Sequence, residues 1–529
     1  MKNEIIQFGG TKLNFPKEVL DKYNYNILAG NYNFISDVEN LEIFIENKFN
    51  KKKSRNIYIF GKDATLLFNF PKLLEQFPAY QILFDSNSSL PEIQKNILKS
   101  KFGKPVNLDN GKELKKIIEF VMQSSIKQYG YKLDMSYVEI REQFRDKTVK
   151  KGNSHFEILG DFGQKMNQIV SWKMHPFGIE GNTTLTFTPE IKVVSGNVVL
   201  EFQVFLIDQA TNSIIEVIKG SPEEFMNQKK LIINSTDTNK LVSVSLCASG
   251  GEGKLEIGQI HFRSYVSEES IMIQNGKRII DYQRRNEELL YYFHPGDLKP
   301  PLSVYFSGYR SAEGFEGRGM MSRMGSPFIL IADPRLEGGN FYIGSVELEE
   351  GIIDIINEKL KWLGFTNREL ILSGLSMGTF AALYYSADLE PAAVIVGKPL
   401  TNIGLIAENE RINRPEIWGT SLDMIMHFGN ASNHNVANQL NDKFWTKFKN
   451  GKYQNTTFAI AYMKNDDYDG EAFYQIATYL RTHSPQPVLL YKGLIGRHND
   501  NSVEINTWFI KQYRNILWDK FLRRIDYHL

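Results

Sequence analysis

The segment Gly374-Leu375-Ser376-Met377-Gly378 carries the clearest chemistry in the chain. An apolar stub, Leu370-Ile371-Leu372, runs into it, and a helix-forming run, Thr379-Phe380-Ala381-Ala382-Leu383-Tyr384, leads out. Strand, tight turn and helix in that order are the setting in which G-x-S-x-G acts as a nucleophile elbow. The turn leaves no room for side chains two residues before and after the serine, hence the glycines. It lifts the Ser376 hydroxyl above the sheet edge. It also aims the Met377 amide and the helix N-terminus at a carbonyl on which negative charge develops. The chemistry is acyl transfer through a covalent serine intermediate.

A serine needs a base, and the base needs an orienting acid. In this fold they follow the nucleophile in the order Ser, acid, His. Of the nine histidines, His155, His175, His261, His294, His427 and His434 come too early. His483 ends a helix before the last strand, and His528 is terminal. His498 lies in Gly493-Leu494-Ile495-Gly496-Arg497-His498-Asn499-Asp500, just past that strand, and is the expected base. The acid should follow the preceding strand, Thr457 to Tyr462. Asp466 is the first choice there, with Asp467 the nearest rival and Asp469 a weaker one. A second oxyanion donor should come from Ser307-Gly308-Tyr309-Arg310, through the amide of Gly308 or of Tyr309. Arg310 either meets substrate or pairs with Glu313.

These residues require a sheet edge to stand on, and the pattern from 269 to 529 supplies one. Strands are expected at 301–306, 328–332, 369–373, 392–396, 457–463 and 487–491. Helices are expected at 351–363, 378–387, 470–482 and about 501–523, with a long insertion before residue 457. Alternating strand and helix implies an α/β fold with a mostly parallel sheet, here of the α/β-hydrolase type. Residues 151–268 instead hold short alternating segments separated by Gly, Asn and Ser, as in a β-sandwich. Such a sandwich could be a carbohydrate-binding module, with Trp172 and Phe177 either stacking sugars or filling the core. Residues 1–150 read as a separate α/β region, with strands at 56–61 and 80–85 and a helix at 112–128.

Bulk properties narrow the classes further. A chain of 529 residues exceeds one core and calls for about two to four domains. Its net charge of +1 gives no general attraction to nucleic acid or anionic membrane. The run Lys51-Lys52-Lys53 is read as a solvated face. The single cysteine, Cys247, rules out an internal disulfide framework and any cysteine-rich zinc motif, so no metal is expected. No signal-peptide core or membrane-spanning run is evident, which places the expected site of action in the cytoplasm. No P-loop is present, and acyl transfer requires no cofactor, which leaves the acyl donor open.

Several motifs together carry a resemblance that covers most of the chain. They are Tyr305-Phe306-Ser307-Gly308-Tyr309-Arg310, Asp333-Pro334-Arg335 with Gly338-Gly339-Asn340, Leu372 to Thr379, and Gly397-Lys398-Pro399-Leu400. With these the chain resembles the accessory Sec system protein of the second type, from the export machinery for serine-rich repeat glycoprotein adhesins in Gram-positive bacteria. The resemblance implies an O-acetyltransferase acting on N-acetylglucosamine of the adhesin. It also implies a scaffold subunit that binds other accessory Sec proteins and the accessory Sec motor ATPase, by recruitment at the inner face of the cell membrane. The family triad carries over onto Ser376 and His498. Its acid is Glu or Asp, which leaves Asp466 and Asp467 both open. The other functions weighed are an intracellular carbohydrate esterase and a non-catalytic export adaptor.

Overall fold

Leu370-Ile371-Leu372 and Ala393-Val394-Ile395-Val396 show no polar alternation, and each forms part of a strand buried on both faces. Such runs belong in the middle of a sheet covered by helices. In the computed structural model, which describes residues 2–32, 42–46, 48–413, 421–429, 431, 433–483 and 485–524, they are the centre of an eight-stranded sheet.

The strands of that sheet are β1 (Gly276–Asp281), β2 (Glu287–His294), β3 (Leu302–Phe306), β4 (Phe328–Ala332), β5 (Leu370–Leu375), β6 (Ala393–Gly397), β7 (Thr457–Met463) and β8 (Val488–Leu494). Their order across the sheet is β1-β2-β4-β3-β5-β6-β7-β8. From β3 through β8 the neighbours β3/β5, β5/β6, β6/β7 and β7/β8 are parallel. The β1/β2 hairpin is antiparallel and was not expected. Its second strand reads Glu287-Glu288-Leu289-Leu290-Tyr291-Tyr292-Phe293-His294, and the two acids disguise it. Both are nonetheless buried. They are tolerated because Glu288 pairs with Arg263, and Glu287 pairs with Arg285 and, at 2.6 Å, with His427.

Helices cover the sheet. Helix α1 (Val346–Leu363) buries Leu348, Ile352, Ile356 and Leu360, one per turn. It begins five residues earlier than the apolar pattern suggests. Ser345 caps it by accepting the Leu348 amide at 3.2 Å, and Gly364 at φ 73° ends it. Helix α2 (Met377–Tyr384) is buried on every side, as expected of an element between the sheet and its covering layer. Helices α3 (Ala472–Thr482) and α4 (Ser502–Phe521) follow β7 and β8.

Upstream lie two antiparallel sheets. One is seven-stranded and built around Glu252–Ser267, and the other is five-stranded and built around Lys240–Ser249. Both contribute to one core, in which Phe177 of one sheet meets Phe262 of the other at 4.4 Å between ring centroids. Trp172 and Phe177 are 2% and 6% exposed within that core. Of the two roles open from the sequence they take the core one and not sugar stacking, since a ring sealed among Phe, Val and Leu has no face to offer. The sheets also begin earlier than residue 151. Gly130–Leu133 pairs with Ile260–Arg263, and Val138–Ile140 pairs with Val170–Trp172. Both segments are too short and polar to register as strands by pattern.

Two compact units divide the chain. One comprises Met1–Lys127, Phe293–Pro300 and Gly325–Phe328, and the other Gln128–Tyr292, Pro301–Met324 and Ile329–Leu529. The first holds a five-stranded parallel sheet with a hydrophobic cluster on each face. Its strands include Ile57–Phe60 and Ile82–Asp85, and its helices include Leu114–Ser124. In this unit Lys53 pairs with Glu4 at 2.6 Å. Within the second unit the antiparallel sheets grip the loops of the eight-stranded sheet. His261 and Arg263 hold Glu313, and Gln259 donates to the Leu336 carbonyl at 2.8 Å.

Candidate active site

The turn after β5 gives Ser376 φ 51° and ψ −121°, a backbone that an L residue adopts only under constraint. The constraint comes from both sides. The Ser376 amide donates to the Gly397 carbonyl at 2.9 Å. The Thr379 hydroxyl donates to the Ser376 carbonyl at 2.6 Å. A Cβ on Gly374 would collide with the backbone of Gly378, and one on Gly378 with the Phe306 carbonyl. The elbow glycines are therefore steric requirements of the close approach of β3, β5 and α2.

Ser376 Oγ lies 2.8 Å from His498 Nε2, and His498 Nδ1 lies 2.9 Å from Asp466 Oδ2. The His498 and Asp466 side chains are 1% and 4% exposed. The ring of Tyr468 stacks on the imidazole at 4.3 Å. The neighbouring aspartates have different positions. Asp467 accepts the backbone amide of His498 at 2.9 Å, so it fixes the loop rather than the ring. Asp469 accepts the amides of Thr401 and Asn402, each at 2.8 Å, and ties down the chain beyond β6. Burial alone would raise the Asp466 pKa. The His498 hydrogen bond and charge, with the amides of Tyr468 and Asp469, outweigh that and hold the carboxyl below its ordinary value. For Asp469 burial wins over its hydrogen bonds, and its pKa is raised.

On the opposite side of the serine, the Met377 amide opens helix α2, where a first-turn N–H has no intrahelical acceptor. The loop after β3 brings Gly308 and Tyr309 up to the elbow. The Gly308 amide, however, donates to the carboxylate of Glu316 at 2.8 Å. Of the two amides expected from the sequence, that of Gly308 is thus present but engaged. Tyr309 lays its ring over Gly338, where a Cβ would collide with it. Gly339, at φ 127°, leaves room in the same way for the Met377 side chain. That explains the Asp333-to-Asn340 motif. The Asp333 carboxylate pairs with Arg335 at 2.7 Å and accepts the amides of Asn340 at 3.0 Å and Tyr342 at 2.9 Å, which sets the glycine turn against the site. Arg310 does not pair with Glu313, which His261 and Arg263 occupy. Its Nε donates to the Ala312 carbonyl at 3.3 Å instead.

The structure thus brings Ser376, Met377, Gly308, Tyr309, Asp466 and His498 together. Sequence reasoning missed Glu316, Tyr468 and the bracing by Asp333. Glu316 sits in a loop with no periodicity that would mark it. His483 caps the C-terminus of α3, away from the elbow sequence, and His528 lies outside the described residues. One group among the described residues has the composition of a metal site, His155, Glu157 and Glu256, whose ligand atoms lie within 4.8 Å of one another. Cations already balance it, since Glu157 meets Lys254 at 3.1 Å and Glu256 meets Arg285 at 3.3 Å. No helix among the described residues is long and apolar enough to cross a membrane.

Comparison with known proteins agrees with this architecture. The model of the accessory Sec system GspB-transporter family matches residues 5–523. An accessory Sec system protein of the second type from Staphylococcus aureus is 43% identical over 420 residues, covering 79% of this chain and 78% of that protein. Its counterpart from Streptococcus gordonii is 40% identical over 398 residues, covering 75% and 76%. A chain of the glycosylation-associated protein complex from Streptococcus agalactiae superposes with a TM-score of 0.81 at 34% identity, covering 99% of each chain. The chain belongs to the accessory Sec system GspB-transporter family.

Proposed function

We propose that the chain is a serine acyltransferase with Ser376 as nucleophile, His498 as general base and Asp466 as the acid that orients it. The observation that carries this is the unbroken relay from Ser376 Oγ to His498 Nε2 at 2.8 Å and from His498 Nδ1 to Asp466 Oδ2 at 2.9 Å, on a strained elbow. The strand order β1-β2-β4-β3-β5-β6-β7-β8, with nucleophile after β5, acid after β7 and base after β8, supports an α/β-hydrolase-type domain. In the reaction Ser376 attacks the acyl carbonyl while His498 takes its proton. Asp466 keeps the imidazole in the right tautomer and balances its charge, and the Met377 amide receives the oxyanion.

Membership of an accessory Sec family, with a relative solved as part of a glycosylation-associated complex, favours a glycan hydroxyl over water as acceptor. The substrate we assign is N-acetylglucosamine on a serine-rich repeat glycoprotein adhesin, with acetyl as the group transferred. The partners we assign are other accessory Sec proteins and the motor ATPase, at the inner face of the membrane by recruitment. The two antiparallel sheets we read as a sandwich resembling a carbohydrate-binding module. The test is incubation of the chain with an activated acetyl ester and a glycopeptide bearing N-acetylglucosamine, followed by mass spectrometry of the glycopeptide. An acetylated sugar with wild-type protein, and none with Ser376→Ala, is expected. Release of acetate with no acetylated sugar would make the protein an esterase. Scoring export of the adhesin in the same variant separates catalysis from a scaffold role.

A further inference from the structure

Lys398 is the first residue beyond β6. Its backbone is in the left-handed region, at φ 61°, a costly conformation for a residue with a Cβ. Its amide donates to the Ala461 carbonyl at 2.8 Å, which binds it to the strand that leads to Asp466. Its carbonyl lies 3.5 Å from the Thr379 hydroxyl, which also accepts the Leu400 amide at 3.0 Å. The preceding carbonyl, of Gly397, takes the Ser376 amide at 2.9 Å. The chain at 397–400 is therefore fastened to the elbow on one side and to the acid-bearing strand on the other.

Lys398 as a residue is only 9% exposed. Among the described residues its ammonium makes no hydrogen bond and no ion pair. Two carboxylates act on it from a distance, Asp466 and Glu316. Asp466 flanks Ser376 through His498, and Glu316 flanks it through the Gly308 amide. A Cβ on Gly308 would lie 3.3 Å from the carbonyl of Leu375, the residue before the nucleophile. The chain that carries this cation is fastened directly to the elbow, and the two carboxylates that act on it belong to the two flanks of the serine.

We propose that Lys398 is a catalytic residue whose ammonium is the second contact for the oxyanion formed at Ser376, in place of the Gly308 amide that Glu316 engages. The proposal rests on the acyl-transfer assignment. Ser376 Oγ bonds to the acyl carbon as its proton passes to His498 Nε2. The carbonyl π pair moves onto oxygen, which accepts hydrogen bonds from the Met377 amide and the Lys398 ammonium. The pair then returns, the leaving group departs with the proton from His498, and the ammonium keeps its protons throughout. Burial lowers the pKa of this lysine, and Asp466 and Glu316 only partly restore it.

The test is stopped-flow acylation of the full chain by 4-nitrophenyl acetate across neutral and alkaline pH, in wild type, Lys398→Met and Lys398→Arg. Lys398→Met should slow acylation by about 100-fold with substrate affinity within about threefold. Lys398→Arg should recover to within about tenfold, and should keep its rate at alkaline pH where wild type loses it, because arginine stays charged. Asp466, Glu316, His498 and Tyr468 face the same cleft in both proteins, so a difference between their alkaline limbs belongs to residue 398. A Lys398→Met rate within threefold of wild type would overturn the proposal, as would identical alkaline limbs in wild type and Lys398→Arg. The second comparison decides even if Lys398→Met does not fold. Absence of any Ser376 acylation in wild type would overturn the acyl-transfer assignment itself. Normal wild-type acylation with an unaffected Lys398→Met would overturn only the role of the lysine.

Discussion

The carboxylate of Glu316 accepts the amide of Gly308 at 2.8 Å, beside the serine proposed as nucleophile. A fixed anion there opposes the oxyanion electrostatically, and the low-dielectric surroundings strengthen the effect. Glu316→Gln preserves an acceptor for the Gly308 amide and removes the charge. Acylation by a neutral ester should rise by about 3- to 10-fold, measured as the burst rate constant. A fall would mean that the carboxylate itself assists the reaction.

The adjacent aspartates should separate cleanly. Asp466→Asn keeps the shape but loses the charge opposite His498 Nδ1 and favours the wrong tautomer, so acylation should fall by about 10³- to 10⁴-fold. Asp467→Asn retains an oxygen that can accept the His498 amide now held at 2.9 Å. Its loss should stay below about tenfold. Equal losses in the two variants, measured side by side, would remove the distinction drawn between them.

The elbow glycines lead to a stability prediction. Gly378→Ala places a Cβ against the Phe306 carbonyl, and backbone cannot yield as a flexible side chain can. The cost should be about 2 kcal/mol or more, read by urea denaturation. Gly364→Ala makes a useful control, since nothing surrounds the added carbon and only the positive φ of 73° is strained. It should cost about 1 kcal/mol.

A pH dependence follows from His261, which lies between Glu190 and Glu313. Burial and the nearby Arg263 lower its pKa, but Glu313 and Glu190 prevail and push it up to about 9. A histidine whose folded pKa is raised contributes stability fully below its unfolded value of about 6.5, and that contribution is lost as pH climbs through the folded value. Unfolding free energy should therefore fall between about pH 6.5 and 9, by at most ~3 kcal/mol. Denaturant titrations at several pH values should show the decline in wild type and a flatter profile in His261→Gln.

Much of this arrangement was legible in the sequence, for identifiable reasons. Strands such as Phe328–Ala332 and Thr457–Met463 are continuous apolar runs, and buried parallel strands leave no other pattern. The elbow shows because sterics force its glycines. The triad order restricts His498 to one loop. What escaped notice depends on long-range pairing. The β1/β2 hairpin carries charges whose partners, Arg263 and His427, lie far away in sequence. Gly130–Leu133 is a strand only because Ile260–Arg263 lies beside it. Trp172 looks the same in sequence whether it faces water or Phe202, which its ring meets at 6.2 Å. The choice between Asp466 and Asp467 needed the direction of each side chain, which adjacency in sequence does not supply.

The central claim is that Ser376 becomes acylated. Intact-mass and peptide-level mass spectrometry after brief exposure of the full chain to 4-nitrophenyl acetate measures this directly. The expected result is a single acetyl group on the peptide containing Ser376, absent from Ser376→Ala and strongly reduced in His498→Ala. Labelling that persists in Ser376→Ala, or a wild-type protein that takes up no acetyl group while correctly folded, would contradict it.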